Sequence, residues 1–539
     1  MADPSSRSRR FSRRTGLQAG VLATAATGMA AVSGFAQEAS PAASAPAGIT
    51  TSGVEAAVAA IPAYIESLMD ETGVPGIAIS AVFNDATVYA AGFGVREVGV
   101  DGAVDADTVF QLASVSKPVG ATVVSSMVGE GLFTWDTSLA DLGSTTVLSD
   151  AWVSGEVTLA DLYSHRSGLP DHVLDVYEDL GADRDQVLHA LRYVNLVGRF
   201  RDSYAYTNFG LTAAAVAAAN YSGSTWEEAS VARLYEPAGM TRTTSVNAEF
   251  VAMDNRAVGH VLVDGEWQHV FDRQPDAQSP AGGVSSSAND MARWMRLELN
   301  LGELDGTQIL APEGLQQTRI PHAISQMPED PSTERAGFYG LGWNVSYQAN
   351  GEVQVGHSGA FASGAGTTVY LLPDAGLGVT VLTNAFPLGV AESIALTFLD
   401  IARYGEPRFD YFPILKPILE RDAAPLYGND VASPPEEVRP PAAPESYLGT
   451  YESDVFGPLD VVEDGEHLAM ILGPVGMQFP LAHYSRDVFT YMPPGENGGV
   501  ESAVTFTLGA DGIATQVVLE NLDLNGAGTF TRPSAEGAE

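Results

Sequence analysis

A serine and a lysine three positions apart, Ser114 and Lys117, lie at the start of an apolar segment that is predicted to be helical. Pro118 is tolerated only in the first turn of a helix, so this helix should begin near Ser114. Residues three apart share a helix face, which lets the hydroxyl meet the amine. Burial can lower the pKa of a lysine enough for it to take a proton from serine. The pair therefore predicts a nucleophilic serine with an amine base.

The serine–lysine spacing alone is a weak signal, because chance produces it for roughly one lysine in thirteen. Two later segments add to it. Residues 204–208 read Tyr-Ala-Tyr-Thr-Asn, and residues 356–360 read Gly-His-Ser-Gly-Ala at the end of a predicted strand. The second segment looks like the start of a nucleophile elbow around Ser358, but its fifth residue is Ala360 and strands follow it. Ser358 is therefore not predicted to be the nucleophile.

In chain order, these segments resemble the S-x-x-K, Y-x-N and H-x-G motifs of the class C β-lactamase and penicillin-recognising serine hydrolase family. They are Ser114 to Lys117, Tyr206 to Asn208, and His357 to Gly359. Other parts of the chain look like that family's connecting segments, and the resemblance covers about residues 53 to 405. Those connecting segments are residues 165–170, 237–240, 281–283 and 339–343.

The resemblance implies that Ser114 attacks a carbonyl group and forms an acyl-enzyme. Lys117 and Tyr206 would share the proton transfers, and which of them is the base stays open. Asn208 would hold the carbonyl or amide group of the substrate. Each residue also has a structural alternative, since Asn208 could cap an Ala-rich helix and Tyr206 could pack in the core.

The third motif would supply the rest of the substrate site through His357, Gly359 and Ala360, with the backbone N–H groups of Ser114 and Ala360 as the oxyanion hole. Class C β-lactamases generally carry a lysine where His357 lies, whereas related esterases and D-aminopeptidases more often carry histidine. An unperturbed histidine is half protonated near pH 6.5. Substrates with a free carboxylate are therefore expected to bind better as the pH falls.

These features predict an exported serine hydrolase that cleaves a small peptide, amide or ester substrate, without a cofactor. Two alternatives remain within catalysis, a carboxylesterase and a β-lactamase. A third belongs to another class, a non-catalytic, penicillin-binding-like protein that binds cell-wall peptides. Intact Ser114, Lys117 and Tyr206 argue against it, because a pure binder has no chemical need for all three.

Composition narrows the possible partners. The 539 residues include 67 Asp and Glu against 27 Lys and Arg, a formal charge of −40, which disfavours nucleic acid as a partner. The chain has no cysteine, so disulfides and thiolate chemistry are excluded. Its nine histidines show no compact ligand spacing, and no metal site is predicted. The oligomeric state is left open.

Five segments are predicted along the chain. Residues 1–36 combine arginines, an apolar run and a small-residue cleavage site, and they resemble a twin-arginine export signal, so a periplasmic or extracellular location is expected. Residues 37–52 read as a linker, 53–405 as the hydrolase domain, 406–445 as a Pro-rich linker, and 446–533 as a separate lipocalin-like β-domain. No later apolar run is long enough to span a membrane.

The fold class predicted for the hydrolase domain is α/β (α+β). Strand patterns at both ends of the domain enclose a long helical segment, about residues 110 to 305. This arrangement indicates an antiparallel sheet flanked by helices plus an all-α lobe, with a cleft between them. The C-terminal domain is expected to be an antiparallel, barrel-like unit of about eight strands.

Overall fold

The computed structural model describes residues 48–328, 330–331, 334–348, 350–422, 424–435, 437–496 and 498–533. The predicted export signal, residues 1–36, and linker residues 37–47 lie outside the described residues. The last residues of that linker already belong to the fold, because Thr50 caps the first helix by accepting a hydrogen bond from the Gly53 amide.

The hydrolase domain is built on an antiparallel eight-stranded sheet with the order β2-β1-β14-β13-β12-β11-β10-β9. Every residue of the long apolar strand β1 is buried, and Asn84 and Asp85 close the β1–β2 hairpin with positive φ angles of 48° and 61°. The strands of the domain are β1 Gly76–Phe83, β2 Ala86–Gly94, β3 Val109–Gln111, β4 Val261–Val263, β5 Glu266–Gln268, β6 Ser285–Ser287, β7 Glu303–Leu304, β8 Thr307–Gln308, β9 Ala323–Gln326, β10 Gly337–Tyr339, β11 Asn344–Tyr347, β12 Val353–Phe361, β13 Ala365–Leu372 and β14 Leu377–Thr383.

Helices cover both faces of this sheet. On one face α1 and α14 pack together, because α1 presents an apolar stripe that includes Val54, Ile61 and Ile65. The other face carries α12 and the helical lobe. The helices are α1 Thr51–Thr72, α2 Ser116–Gly129, α3 Ala151–Glu156, α4 Leu159–Tyr163, α5 Asp175–Asp179, α6 Arg184–Ala190, α7 Asn208–Tyr221, α8 Trp226–Ser230, α9 Glu236–Ala238, α10 Asn247–Val251, α11 Ser279–Gly282, α12 Ala288–Leu299, α13 Pro312–Thr318, α14 Val390–Tyr404 and α15 Phe412–Asp422.

The C-terminal unit is a closed barrel of eight antiparallel strands, in sequence order from β15 to β22. Closure removes the free edges that an open sheet would expose. The strands are β15 Gly449–Ser453, β16 Gly457–Asp464, β17 His467–Leu472, β18 Met477–Ser485, β19 Val488–Tyr491, β20 Ser502–Leu508, β21 Ala514–Leu519 and β22 Thr529–Thr531. The flanked sheet, the helical lobe and this separate barrel confirm the predicted fold class.

The segment predicted as a Pro-rich linker, residues 406–445, contains an α-helix that the sequence reasoning missed. Helix α15 places Phe412, Leu415 and Leu419 in the same apolar cluster as α14. These residues recur at the i, i+3, i+7 spacing of a buried helix stripe. The first part of the segment therefore packs on the hydrolase domain. Among the described residues, no helix is long and apolar enough to cross a membrane.

Candidate active site

Ser114 lies in a short 3₁₀ turn, Ala113–Val115, that joins β3 to helix α2. The helix itself begins two residues later than Ser114, at Ser116. The preceding residue, Ala113, has a φ of 46°, a left-handed conformation that costs energy for a residue with a side chain. Ser114 is partly exposed, whereas Ala113 and Val115 are fully buried. The turn thus presents the serine hydroxyl at the surface of a packed core.

Lys117 follows on the first turn of α2 and is completely buried. Its Nζ lies 3.0 Å from Ser114 Oγ, 2.7 Å from Asn208 Oδ1 and 3.0 Å from the Ala281 carbonyl oxygen. Burial lowers the pKa of Lys117 to about 7, while the nearby Asp175 carboxylate opposes that shift. The amine is therefore balanced between its charged and neutral forms near neutral pH.

The hydrogen-bond partners of Lys117 determine where the lone pair of its neutral amine points. The carbonyl oxygens of Asn208 and Ala281 can only accept, so the amine must donate to both. A neutral amine has two N–H groups, and both are used there. Its lone pair then faces the Ser114 hydroxyl, 3.0 Å away.

Tyr206 approaches Ser114 from the loop that precedes α7. Its hydroxyl donates to Ser114 Oγ at 2.9 Å, and its backbone N–H donates to Asp171 at 2.8 Å. Burial raises the pKa of Tyr206, so its hydroxyl keeps its proton in the resting site. The Lys117 Nζ also lies 4.5 Å from the centroid of the Tyr206 ring.

Asn208 is the first residue of α7, and the residue in the capping position is Thr207. The structural alternative for Asn208, a helix cap, is therefore wrong. Its side chain instead joins two groups, since Oδ1 accepts from Lys117 and Nδ2 donates to Asp175 at 2.8 Å. Because the Asp175 carboxylate can only accept, this contact also assigns the orientation of the amide.

His357 lies on β12 and is 3% exposed. Burial, together with the charge of Lys117, lowers the pKa of His357 to about 3. Its Nδ1 lies 2.6 Å from the Ser358 carbonyl oxygen, so Nδ1 carries the proton. Nε2 then accepts from the Tyr339 hydroxyl at 2.9 Å. The expectation of a histidine that titrates near pH 6.5 is wrong, because this imidazole is desolvated and lies near a cation.

Gly359 and Ala360 follow on the same strand, next to the serine turn. A Cβ at Gly359 would lie 2.2 Å from the Leu112 carbonyl oxygen and 2.9 Å from the Ser114 nitrogen. Any side chain there would push β12 away from Ser114, so this approach requires glycine. Ala360 is partly exposed, as Ser114 is. The two residues that were predicted to supply the oxyanion hole thus lie on neighbouring segments, and both are partly exposed.

Ser358, which was rejected as nucleophile, is buried and its Oγ lies 3.0 Å from Thr368 Oγ1. Side chains alternate along a strand, so Ser358 points to the opposite face of β12 from His357 and Gly359. Over the described ranges, no group of three or more His, Asp or Glu side chains is arranged to hold a metal ion.

Sequence reasoning missed three groups that surround the site. Asp175 Oδ2 accepts from both Asn208 and His172 Nδ1, each at 2.8 Å. Burial alone would lower the pKa of His172, but Asp171 and Asp175 raise it to about 9, so this histidine is charged. Tyr339 completes the set through His357. The sequence carried two weak signals, since Tyr339 begins the family-like segment 339–343 and the Asp171–His172 pair directly follows the family-like segment 165–170.

Comparisons with known proteins agree with this architecture. The Beta-lactamase family model matches residues 61–402, and a domain of unknown function, DUF3471, matches residues 433–532. The chain belongs to the Beta-lactamase family, which confirms the resemblance found in the sequence. The match spans the sheet, the helical lobe and every predicted site residue.

Individual relatives extend the comparison beyond the family domain. Penicillin-binding protein 4 of Amycolatopsis lactamdurans is 30% identical over 406 residues, which are 73% of this chain and 97% of that protein. An unguisins hydrolase of Aspergillus campestris is 25% identical over 431 residues, 75% of this chain and 77% of that protein. The octameric penicillin-binding protein homologue from Pyrococcus abyssi shares the fold, with a TM-score of 0.57 at 20% identity, over 88% of this chain and 100% of its own. Together, the family and its relatives support serine hydrolase activity in general.

Proposed function

We propose that this protein is an exported serine hydrolase that cleaves peptide, amide or ester bonds through an acyl-enzyme on Ser114. The observation that carries the proposal is the position of Ser114 Oγ between two proton carriers, 3.0 Å from Lys117 Nζ and 2.9 Å from the Tyr206 hydroxyl. A serine is a weak nucleophile until a neighbouring group removes its proton. Here one neighbour can accept a proton and the other can donate one.

Acylation starts with Lys117 in its neutral form. Its lone pair takes the Ser114 proton as Oγ bonds to the substrate carbonyl carbon, and the amine becomes an ammonium. The carbonyl oxygen gains negative charge next to the backbone N–H groups of Ser114 and Ala360. Loss of one such donor typically slows catalysis by about 10²- to 10³-fold.

Collapse of the tetrahedral intermediate breaks the bond to the leaving group, which needs a proton. The Tyr206 hydroxyl supplies it, because its raised pKa keeps it protonated until that step. The Lys117 ammonium, 4.5 Å from the Tyr206 ring centroid, offsets the resulting phenolate charge. Water then attacks the acyl-enzyme by the reverse sequence of proton transfers, and Asn208 holds Lys117 throughout.

The neutral state of His357 indicates which class of substrate the site favours. A lysine in the third motif would offer a permanent cation to a substrate carboxylate, whereas a buried imidazole that already bonds Tyr339 and Ser358 offers none. This favours peptides, amides and esters without a required carboxylate over β-lactams. The 25% identity to an unguisins hydrolase supports a hydrolytic role. The 30% identity to penicillin-binding protein 4 keeps a cell-wall peptide binder as the alternative from another class.

A probe and substrate panel tests the proposal. A fluorophosphonate probe should acylate Ser114 in the unmodified protein and leave Ser114→Ala unlabelled, with the adduct located by peptide mass spectrometry. p-Nitrophenyl esters, D- and L-aminoacyl anilides, dipeptides and nitrocefin should then separate esterase, peptidase and β-lactamase activities. Labelling at Ser358, or no turnover of any substrate by a protein that still binds peptides, would overturn the proposal.

A further inference from the structure

The C-terminal barrel reaches the hydrolase domain through the loop between β19 and β20. Its Glu496 carboxylate accepts hydrogen bonds from the backbone N–H groups of Ala362 and Ser363, the latter at 3.3 Å. These two residues form the turn between β12 and β13. One side chain from another domain therefore binds two consecutive amides of this turn, an arrangement that restrains both the position and the tilt of the turn.

The same loop also contacts the helical lobe. The Glu496 backbone N–H donates to Asp179 Oδ1 at 3.1 Å, and a Cβ at Gly495 would lie 2.3 Å from that oxygen. Asp179 ends helix α5, whose first residue, Asp175, holds Asn208. Since α5 is only five residues long, the barrel contact and the active-site contact lie at the two ends of one short helix.

A buried arginine of the hydrolase domain anchors this junction. Arg273 pairs with Glu178, lies 3.6 Å from Asp179 and 4.0 Å from Glu496, and is 7% exposed. Its guanidinium lies 5.4 Å from the centroid of the Phe361 ring, the last residue of β12. Arg273 thus attracts the Glu496 carboxylate to the end of β12, the strand that contains Ala360 of the proposed oxyanion hole.

The distance along β12 from the barrel contact to the proposed oxyanion hole is short. Ala360 precedes Ala362 by two residues, about 7 Å of extended chain. His357 and Gly359 lie on the same strand, and Gly359 requires close approach to the Ser114 turn. A shift of the turn would therefore move the Ala360 amide relative to Ser114.

We propose that Glu496 of the barrel is a positioning residue for the hydrolase reaction, holding the β12–β13 turn so that the Ala360 amide faces the oxyanion formed at Ser114. This inference rests on the proposed function and adds a second domain to it. Glu496 does not touch the reacting atoms. It acts through the turn, and the hydrolase domain alone lacks this restraint.

The test compares Glu496→Ala and Glu496→Gln with the unmodified protein on a p-nitrophenyl ester. An oxyanion contact strengthens in the transition state, so its misplacement should lower kcat and leave KM within about threefold. We expect kcat to fall by about 10-fold or more in Glu496→Ala. The kcat of Glu496→Gln should lie between those of Glu496→Ala and the unmodified protein, because its amide oxygen can accept hydrogen bonds from only part of the turn. The matched control is Glu466→Gln, an exposed carboxylate in the β16–β17 turn of the same barrel.

Each result decides between positioning and mere domain docking. If Glu496→Ala and Glu496→Gln have a lower melting temperature but the same kcat as the control variant Glu466→Gln, the inference is wrong. A change confined to KM would also overturn it. Should Glu496→Ala fail to fold, the kcat of Glu496→Gln decides alone. Failure of the proposed function looks different, because the unmodified protein would then not be acylated at Ser114.

Discussion

Lys117 and Arg273 are both buried cationic side chains, yet their surroundings are opposite. Lys117 contacts a hydroxyl and two carbonyl oxygens, and burial lowers its pKa to about 7. Burial would also lower the pKa of Arg273, but Glu178, Glu496 and Asp179 raise it instead. Comparable burial thus produces a group that can release its proton in one place and a permanently charged group in the other.

The difference shows that the groups in contact with a buried cation determine whether it can transfer protons or stays charged. Neutral acceptors solvate the amine of Lys117 without fixing its charge, so it can cycle during a reaction. Carboxylates fix the charge of Arg273, and a guanidinium does not deprotonate in proteins in any case. The first environment suits proton transfer, whereas the second suits a contact between two domains.

Lys117→Arg tests the first environment most directly and should have the largest effect. It keeps a cation next to Ser114 but removes the group that can accept the hydroxyl proton, so kcat/KM should fall by about 10³- to 10⁴-fold. Lys416→Arg is the matched control, because Lys416 is the other lysine of the chain and lies exposed beside Glu420. Esterase assays on folded variants check this. Near-normal turnover by Lys117→Arg would exclude a basic role.

Arg273→Met tests the second environment. It leaves Glu178, Asp179 and Glu496 buried without their cation, which should lower the free energy of unfolding by about 3–5 kcal/mol at pH near 8. Burial raises the pKa values of Glu178 and Glu496. These carboxylates therefore bind protons more readily in the folded state, and protonation stabilises that state as the pH falls. The deficit should therefore be smaller at about pH 5 than at about pH 8.

Denaturant unfolding of Arg273→Met at both pH values measures this deficit. Arg296→Met is the control, since Arg296 pairs with Asp85 and Asp305, which are both exposed. Its loss should cost no more than about 1 kcal/mol. Equal costs for the two variants would show that burial of the carboxylates does not matter.

Asp175→Asn should shift the ionisation of Lys117 without removing it. The Asp175 carboxylate raises the pKa of Lys117, so its neutralisation should lower that pKa. Activity needs the neutral amine and rises as the pH increases through this pKa. The acidic limb of kcat/KM should therefore move to lower pH, changing the relative activity at about pH 6 by roughly threefold to tenfold.

Profiles of kcat/KM from about pH 5 to 9 would show this shift. Asp290→Asn is a matched control, because that buried carboxylate also accepts hydrogen bonds, but from Arg242 and Thr243 and not from the groups around Lys117. Its profile should overlay that of the unmodified protein. A limb that moves to higher pH in Asp175→Asn would contradict the electrostatic assignment.

The sequence could single out Ser114, Lys117, Tyr206 and Asn208, which the structure brings into contact, because each lies in a short local motif. It could not predict Asp175, because the carboxylate reaches Asn208 through a loop in which His172 and Leu174 adopt positive φ angles of 50° and 61°. Such conformations are rare for residues with side chains and depend on packing around the loop.

Other features were hidden for other reasons. Glu496 lies 134 residues from Ala362, and a charged residue in a loop carries no sign of its partner. Helix α15 was hidden by its prolines, although Phe412, Leu415 and Leu419 follow a helical stripe. The sheet, lobe and barrel were predictable because their periodicities are local and repeated over many residues.

His357 extends the comparison to a third buried basic side chain, and it should give the smallest effect. Among the described residues no carboxylate stabilises its charge, and burial beside Lys117 lowers the pKa of His357 to about 3. It therefore stays neutral from about pH 5.5 to 8.5. The KM of a substrate with a free carboxylate, divided by that of a neutral p-nitrophenyl ester, should change by less than about twofold over this range. The ratio cancels the contribution of Lys117, which both substrates share. A ratio that falls as the pH drops, with a midpoint near 6, would mean that His357 becomes charged when substrate binds.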